Sequence, residues 1–238
     1  MKNAVLFDLG GTLADYYERS EFPEILRQGI GAVEAYLSER GSPNVSSNDI
    51  ARKLKEEDYE ADDHRVRPLE ERLSTIFQLD TSAKSDAHMM TLCRLFMQPI
   101  YTRSRRYDDA LPVIRELRRM GFKTGIVSNT SWGSPAALWR EEIERLDLAP
   151  NMDTVVFCRD VGWRKPARQI FELALKQIRI EPQDCLFVGD HPEWDVAGAE
   201  AVGMQAILID RHSNVPGYAA QRIASLGELP ERLREVTR

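Results

Sequence analysis

Five short apolar runs rich in β-branched residues recur along the chain, at 4–7, 125–127, 154–157, 185–188 and 206–209. None shows the polar–apolar alternation of a strand with one wet face, so each predicts a strand buried on both sides. Such strands need helices above and below them. The spacing supplies these: Ala110, Val113, Ile114 and Leu117 recur at helical intervals, as do the apolar residues of 138–146 and then Phe171, Ala174, Leu175 and Ile178. Strand and helix alternate, which predicts a parallel α/β sheet.

From Asp15 to Arg106 the alternation stops. Apolar residues there keep only helical spacing: Leu26, Ile30, Val33 and Leu37, then Leu69, Leu73, Ile76 and Phe77, then Met89, Leu92, Cys93 and Phe96. This predicts an all-helical insert, with Gly41-Ser42-Pro43 as a helix stop and Ser46-Ser47-Asn48-Asp49 as a capped restart. Asp108-Asp109 is expected to cap the first helix after it. The insert follows the first strand, at the edge where open α/β sheets bind ligands, so it is a candidate lid.

A chain of 238 residues has room for one core and such an insert. Its net charge of -6 leaves no overall field for a phosphate backbone, which argues against nucleic acid as the main partner. The Arg103, Arg105 and Arg106 cluster reads as a solvated helix end or a rim of the cleft. Cys93, Cys158 and Cys185 form neither a disulfide framework nor a zinc pattern, and the four histidines form no spaced pair. After Lys2 the apolar start is too short for a signal peptide, and no run is long enough to span a membrane. A cytoplasmic protein with no membrane partner is expected.

Four stretches place chemistry at strand ends. The first, Asp8-Leu9-Gly10-Gly11-Thr12, runs a strand into a carboxylate; its glycine backbone can approach an anion, and Thr12 can bond phosphate or backbone oxygens. The second ends a strand in Ser128 and Asn129, which can donate to an oxyanion. In the third, Pro166 holds Lys165 near the sheet edge. In the fourth, Gly189-Asp190 is followed by Asp195, and acids leaving a buried strand are costly without a cation or ion partner. Singly, each has an ordinary reading as a turn, a cap or a solvated lysine. Together they bring Asp8, Ser128, Lys165 and Asp190 to one crevice, where a divalent cation and a lysine would neutralise phosphate oxygens.

The order D-x-x-G-T, S-N, K-P, G-D-x-x-x-x-D resembles motifs one to four of the haloacid dehalogenase (HAD) superfamily, over nearly the whole chain. The resemblance implies a Rossmann-like parallel sheet with helices on both faces at 1–14 and 107–238, and a helical cap domain at 15–106. It implies that Asp8 forms an aspartyl-phosphate, that Ser128 and Lys165 hold the phosphoryl group, and that Asp8, Asp190 and the Gly10 carbonyl bind Mg²⁺. Asp195 takes an outer or water-mediated role, and the expected substrate is a small phosphorylated molecule.

One position departs from the pattern. The family's phosphatases usually carry a second acid where this chain has Gly10, and a positioned general acid is typically worth about 10²–10⁴-fold in rate. Three accounts follow. The first is a phosphatase that is weak, or acts on good leaving groups, or takes its proton from His191, Glu193 or a cap residue; Asp15 lies too far along the chain to be assumed as the substitute. The second is a C–P or C–halogen hydrolase, whose phosphonatase form needs a cap lysine such as Lys53 or Lys55 for a Schiff base. The third is a phosphate- or Mg²⁺-binding protein without turnover. Trp132, Trp163 and Trp194, each beside a motif, line the crevice or pack the core.

Overall fold

Along the first strand, alternate side chains enter different packing layers. Val5 and Phe7 join one buried cluster, and Ala4 and Leu6 join the other. In this computed structural model, which describes residues 3–42, 45–56, 61–79, 85–215 and 221–236, the same division runs through the neighbouring strands. Double-sided burial is why these runs lack alternation in the sequence.

The strands are β1 (Ala4–Phe7), β4 (Lys123–Ser128), β5 (Thr154–Phe157), β6 (Cys185–Gly189), β7 (Gln205–Ile209) and β8 (Arg222–Ile223). They form one parallel sheet in the order β5-β4-β1-β6-β7-β8. β1 is central, in register with Lys123–Ile126 on one side and Cys185–Val188 on the other. The chain builds outward from β1 to β4 and β5, then returns to β6 on the opposite side. That reversal opens a crevice at the carboxyl ends of β1, β4 and β6.

On one face, the helices α5 (Ala110–Arg119), α6 (Ala136–Arg145) and α10 (Leu229–Val236) bury residues such as Ile114, Trp139 and Leu233. On the other lie α8 (Arg168–Ile178), which buries Phe171 and Leu175, and α9 (Gly198–Glu200), which buries Ala199. Before α8 comes the short α7 (Cys158–Val161), and a wide helical turn at Pro192–Ala197 leads into α9. Among the described residues no helix is long and apolar enough to cross a membrane.

Between β1 and α5 the described residues include the α-helices α1 (Phe22–Glu39), α2 (Ser47–Glu56), α3 (Leu69–Ile76) and α4 (Asp86–Tyr101). Their buried stripes, among them Val33, Leu73 and Phe96, are the residues picked out by helical spacing. Ser46 caps α2 as expected: its Oγ accepts from the Asp49 amide at 3.1 Å and donates to that carboxylate at 2.7 Å. Pro43 of the expected helix stop, like Lys2 near the amino end, lies outside the described residues.

The structure differs from expectation in three places. The stretch from Asp15 to Arg106 is not helical throughout, because β2 (Ala14–Asp15) and β3 (Arg105–Arg106) pair as an antiparallel ribbon where the chain leaves and rejoins the sheet. Two-residue strands are too short to show any period. Asp109 does precede α5, but its carboxylate makes no cap bond; it accepts instead from Arg211, Ser225 and the Leu226 amide. The cationic cluster keeps its expected place at the rim of the cleft only in Arg105, 77% exposed and paired with Asp15, whereas Arg103 turns to the Pro99 carbonyl and Gln28 and Arg106 to the Leu146 carbonyl.

Phe171 is fully buried against the edge of Phe187, with ring centroids 5.2 Å apart. Phe171→Ala should destabilise the fold by about 3–5 kcal/mol, read from urea unfolding. A loss below about 1 kcal/mol would show that this face of the sheet relaxes into the cavity.

Candidate active site

Asp8 is the first residue beyond β1, and its amide still donates to the Val188 carbonyl at 2.9 Å, so the sheet ladder fixes its backbone. The chain then turns sharply: the amides of Leu13 and Ala14 both return to the Leu9 carbonyl. Gly11 is required in this turn. Its φ is +71°, and a Cβ there would lie 2.2 Å from Oδ2 of Asp190. The close approach brings the turn after β1 against the acid after β6.

Lys165 closes the group from the far side. Its Nζ donates to Asp8 Oδ1 at 2.6 Å and to Asp195 Oδ1 at 2.5 Å, with the lysine 2% exposed. Burial alone would lower the ammonium's pKa, but the two carboxylates outweigh it and hold the group protonated. Its backbone is clamped by Asn129, whose Oδ1 accepts from the Lys165 amide at 2.8 Å and whose Nδ2 donates to the Lys165 carbonyl. Asn129 therefore spends its side chain on positioning Lys165, although it lines the cleft.

Asp195 folds back beneath β6. A Cβ at Gly189 would meet its carboxyl carbon at 2.3 Å, so only glycine lets it reach Lys165. The His191 amide donates to its other oxygen at 2.9 Å. Burial raises its pKa from 3.8 to about 6; the adjacent Lys165 opposes this and the charge of Asp8 adds to it. Asp190 is raised well above the carboxylate range for the same reasons, burial first and then the charges of Asp8 and Asp195. Carboxylate oxygens of Asp8, Asp190 and Asp195 all lie within 4.8 Å of one another. Two buried acids and the half-buried Asp190 facing one ammonium are under-neutralised, and an all-oxygen donor set of this kind suits a hard divalent cation.

These groups floor a cleft of about 750 Å³ that Gly10, Gly11 and Ser128 also line. Ser128 is 5% exposed, and its Oγ makes only a long 3.3 Å contact with the adjacent carbonyl. Thr12 is the exception among the expected residues. It is fully buried and off the cleft, its hydroxyl has no hydrogen-bond partner among the described residues, and its carbonyl accepts from Arg211. The turn that exposes Gly11 points the next residue inward.

Of the expected proton donors, His191 lines the cleft, but its Nδ1 accepts from the Trp194 amide and its ring lies flat on Trp194 at 4.1 Å. Glu193 is exposed and off the cleft. Asp15 lines it, with its carboxylate paired to Arg105 at 3.0 Å. Lys53 donates to the Thr75 carbonyl, and neither Lys53 nor Lys55 lines the cleft, so these lysines are not placed for Schiff-base chemistry at Asp8.

Trp132 and Trp194 line the cleft, whereas Trp163 is stacked beneath Arg65 at 3.7 Å. Sequence reasoning missed Arg164, which is 2% exposed beside Lys165 in the cleft, and the rings of Tyr16, Tyr17, Phe22 and Trp139. Tyr16-Tyr17, directly after the first motif, was the one available signal. All three cysteines are buried and form no disulfide.

A family model described as a haloacid dehalogenase-like hydrolase matches residues 2–203. The chain is 28% identical over 211 residues to a glyceraldehyde 3-phosphate phosphatase of Methanopyrus kandleri, covering 89% of this chain and 85% of that one. A HAD phosphatase from Thermococcus onnurineus superposes with a TM-score of 0.66 at 27% identity, over 97% of both chains. A 2-haloacid dehalogenase from Pseudomonas syringae superposes with a TM-score of 0.71 at 20% identity, over 99% of this chain and 100% of that one, a likeness of fold alone.

The raised Asp195 carboxyl binds its proton more tightly folded than unfolded. Its contribution to stability is therefore fully present below about 3.8 and lost as pH rises through about 6. In thermal melts with EDTA, the fall in Tm from pH 4 to 7 should be steeper for the wild type than for Asp195→Asn. Equal slopes would show that Lys165 offsets the burial of this acid completely.

Proposed function

The chain belongs to the haloacid dehalogenase-like hydrolase family, and from that premise we propose that it is a Mg²⁺-dependent phosphatase that transfers a phosphoryl group from a small molecule to Asp8 and then to water. The observation that carries the reading is the bridge from Lys165 to both Asp8 and Asp195, with Asp190 within carboxylate reach. The names of the Methanopyrus and Thermococcus proteins, both phosphatases, support it.

The three clustered acids, with Asp190 raised by burial and then by the charges of Asp8 and Asp195, fit a divalent cation, which Asp8, Asp190 and the Gly10 carbonyl would hold. Bound there, it supplies neutralisation of phosphoryl oxygens. The chain's own groups do the rest. Lys165 pairs with Asp8 and aims it, and its ammonium faces the incoming phosphoryl oxygens from the other side. Ser128, at the end of β4, donates its hydroxyl to one of those oxygens. The backbone of Gly11 lies close enough to Asp190 to leave no room for water between turn and acid. Asp195 acts through Lys165 and the His191 amide as a positioning residue.

The attacking oxygen of Asp8 forms a bond to phosphorus as the bond to the leaving oxygen breaks. Water then attacks the phosphorus, and the carboxylate is regenerated as orthophosphate departs. The helices of 22–101 act as the cap over this cleft, with Phe22 and Pro23 of α1 at its wall. The acid cluster is the metal-binding form of the site, and no lysine of α2 reaches the cleft. These two observations favour the phosphatase over the dehalogenase and phosphonatase accounts, with a 2-haloacid dehalogenase sharing the fold.

Asp8→Asn should lower phosphate release by about 10⁴-fold or more while the circular dichroism spectrum stays native. EDTA should abolish wild-type turnover, and added Mg²⁺ should restore it. Turnover by a folded Asp8→Asn protein would exclude Asp8 as the nucleophile.

A further inference from the structure

Two adjacent glycines stand after the nucleophile for different reasons. Gly11 is demanded by its positive φ and by the approach of Asp190. Gly10 is not: it is absent from the glycines of positive φ, and a Cβ there would meet only ring carbons of Tyr16, at 3.6 and 3.7 Å. Those are ordinary contact distances. Neither backbone nor packing requires glycine at position 10, so what it provides is the space itself, beside Asp8 and bounded by the Tyr16 ring.

The cleft it opens into is walled by aromatic rings. Phe22 stacks on Trp132 at 6.0 Å and 27°, Tyr17 lies 6.1 Å from Phe22, and Tyr16 meets Trp139 edge-on at 5.5 Å. Trp132 sits at φ 58°, a conformation that bulky residues rarely adopt. It is held there by Phe96 at 5.2 Å and by the Arg72 guanidinium 4.2 Å over its ring. Strain that neighbours maintain at a cleft wall points to a use for the ring's position. Tyr16 offers a ring and no proton: its hydroxyl is buried away from solvent, and burial, then Glu142, raise its pKa well above the usual value.

Resting on the phosphatase reading above, we propose that the substrate is a phosphate ester of a flat aromatic or enolic hydroxyl, whose oxygen departs as an anion into the space beside Gly10 without a proton from the enzyme. A phenolic oxygen has a pKa of about 10, far below that of water, so it leaves with far less need of an acid. A lone pair of the Asp8 carboxylate forms the O–P bond, and the electron pair of the P–O bond departs on the aryl or enol oxygen, which takes its proton from solvent. Water then adds to phosphorus and its proton passes to solvent, the O–P bond to Asp8 breaks with its pair returning to the carboxylate, and orthophosphate leaves. The flat group stacks between the rings of the wall. This departs from the alkyl phosphate for which the Methanopyrus relative is named.

The test compares kcat/KM with Mg²⁺ for 4-nitrophenyl phosphate, phenyl phosphate, an enol phosphate, glycerol 1-phosphate and O-phosphoserine. The wild type should favour the 4-nitrophenyl ester over the alkyl esters by more than about 100-fold. Gly10→Ala, which fills the space without adding an acid, should lower kcat/KM for the aryl esters more than for the alkyl ones, and Gly10→Asp should compress the ratio by about 10-fold or more through a gain in the alkyl rates. Phe22→Ala should raise KM for the aryl esters more than for the alkyl ones. Alkyl and aryl esters turned over within about threefold by the wild type would overturn the inference while leaving the phosphatase reading intact. Absence of turnover for every ester would remove the phosphatase reading, and the inference with it.

Discussion

The rest of the site depends on one buried ammonium. Lys165 lies between Asp8 and Asp195 with almost no solvent contact, and neither acid is exposed enough for water to share its charge. Removing one partner from such a group strands a buried charge, at a cost of about 3–5 kcal/mol in other proteins. The pairing is costly to build as well as to break. Even with Lys165 at 2.5 Å, burial leaves Asp195 titrating near 6, so desolvation outweighs that attraction. An arrangement that stabilises so little in proportion to its cost is better understood as a poised site than as a structural strut.

Assembling it takes parts far apart in the sequence, and the sheet topology joins them. Asp8 follows β1, Asp190 follows β6, and Asn129 follows β4, the three strands that meet at the reversal of strand order. Lys165 comes from the loop ahead of α8, and Asn129 holds its backbone at both amide and carbonyl. Two missing side chains matter as much as those present. Gly11 admits Asp190, and Gly189 admits Asp195; a methyl group at either would overlap a carboxylate. The carboxylates are thus set by backbone approach, which costs no side-chain entropy to maintain.

Much of this was legible in the sequence because burial on both faces leaves a strong pattern. The five apolar runs became β1, β4, β5, β6 and β7, and the acids and serine at strand ends line one cleft with Lys165, which comes instead from the loop ahead of α8. What escaped reading had no periodic signature. β2, β3 and β8 are two residues each. Thr12 follows a turn whose direction depends on the φ of Gly11, and Asp109 found a distant arginine more favourable than the nearby helix amides. Arg164 is indistinguishable from a surface arginine until the loop at 61–64 covers it, with the Ala61 carbonyl accepting from its guanidinium and the His64 carbonyl from its amide. The aromatic wall was hidden for the same reason, since Tyr17, Phe22, Trp132 and Trp139 lie on separate elements and meet only in the fold.

That wall stays over the strand ends through contacts of unequal weight. Ion pairs such as Arg94 with Glu141 are half exposed, and pairs of that kind contribute about 0.2–1 kcal/mol. Backbone pairing is less easily screened: the Val66 amide donates to the Gly162 carbonyl, the Arg164 amide donates to the His64 carbonyl, and β2 pairs with β3 at the other crossing. Beside that ribbon, buried Glu142 accepts from Ser104 and Arg145, tying the returning chain to α6. The helical segment is therefore anchored by main chain on two sides of the cleft, and salt acts mainly on the pairs at its rim. Since the Lys165 cluster gains its strength from exclusion of water, those two backbone anchors govern its electrostatics as directly as the charges do.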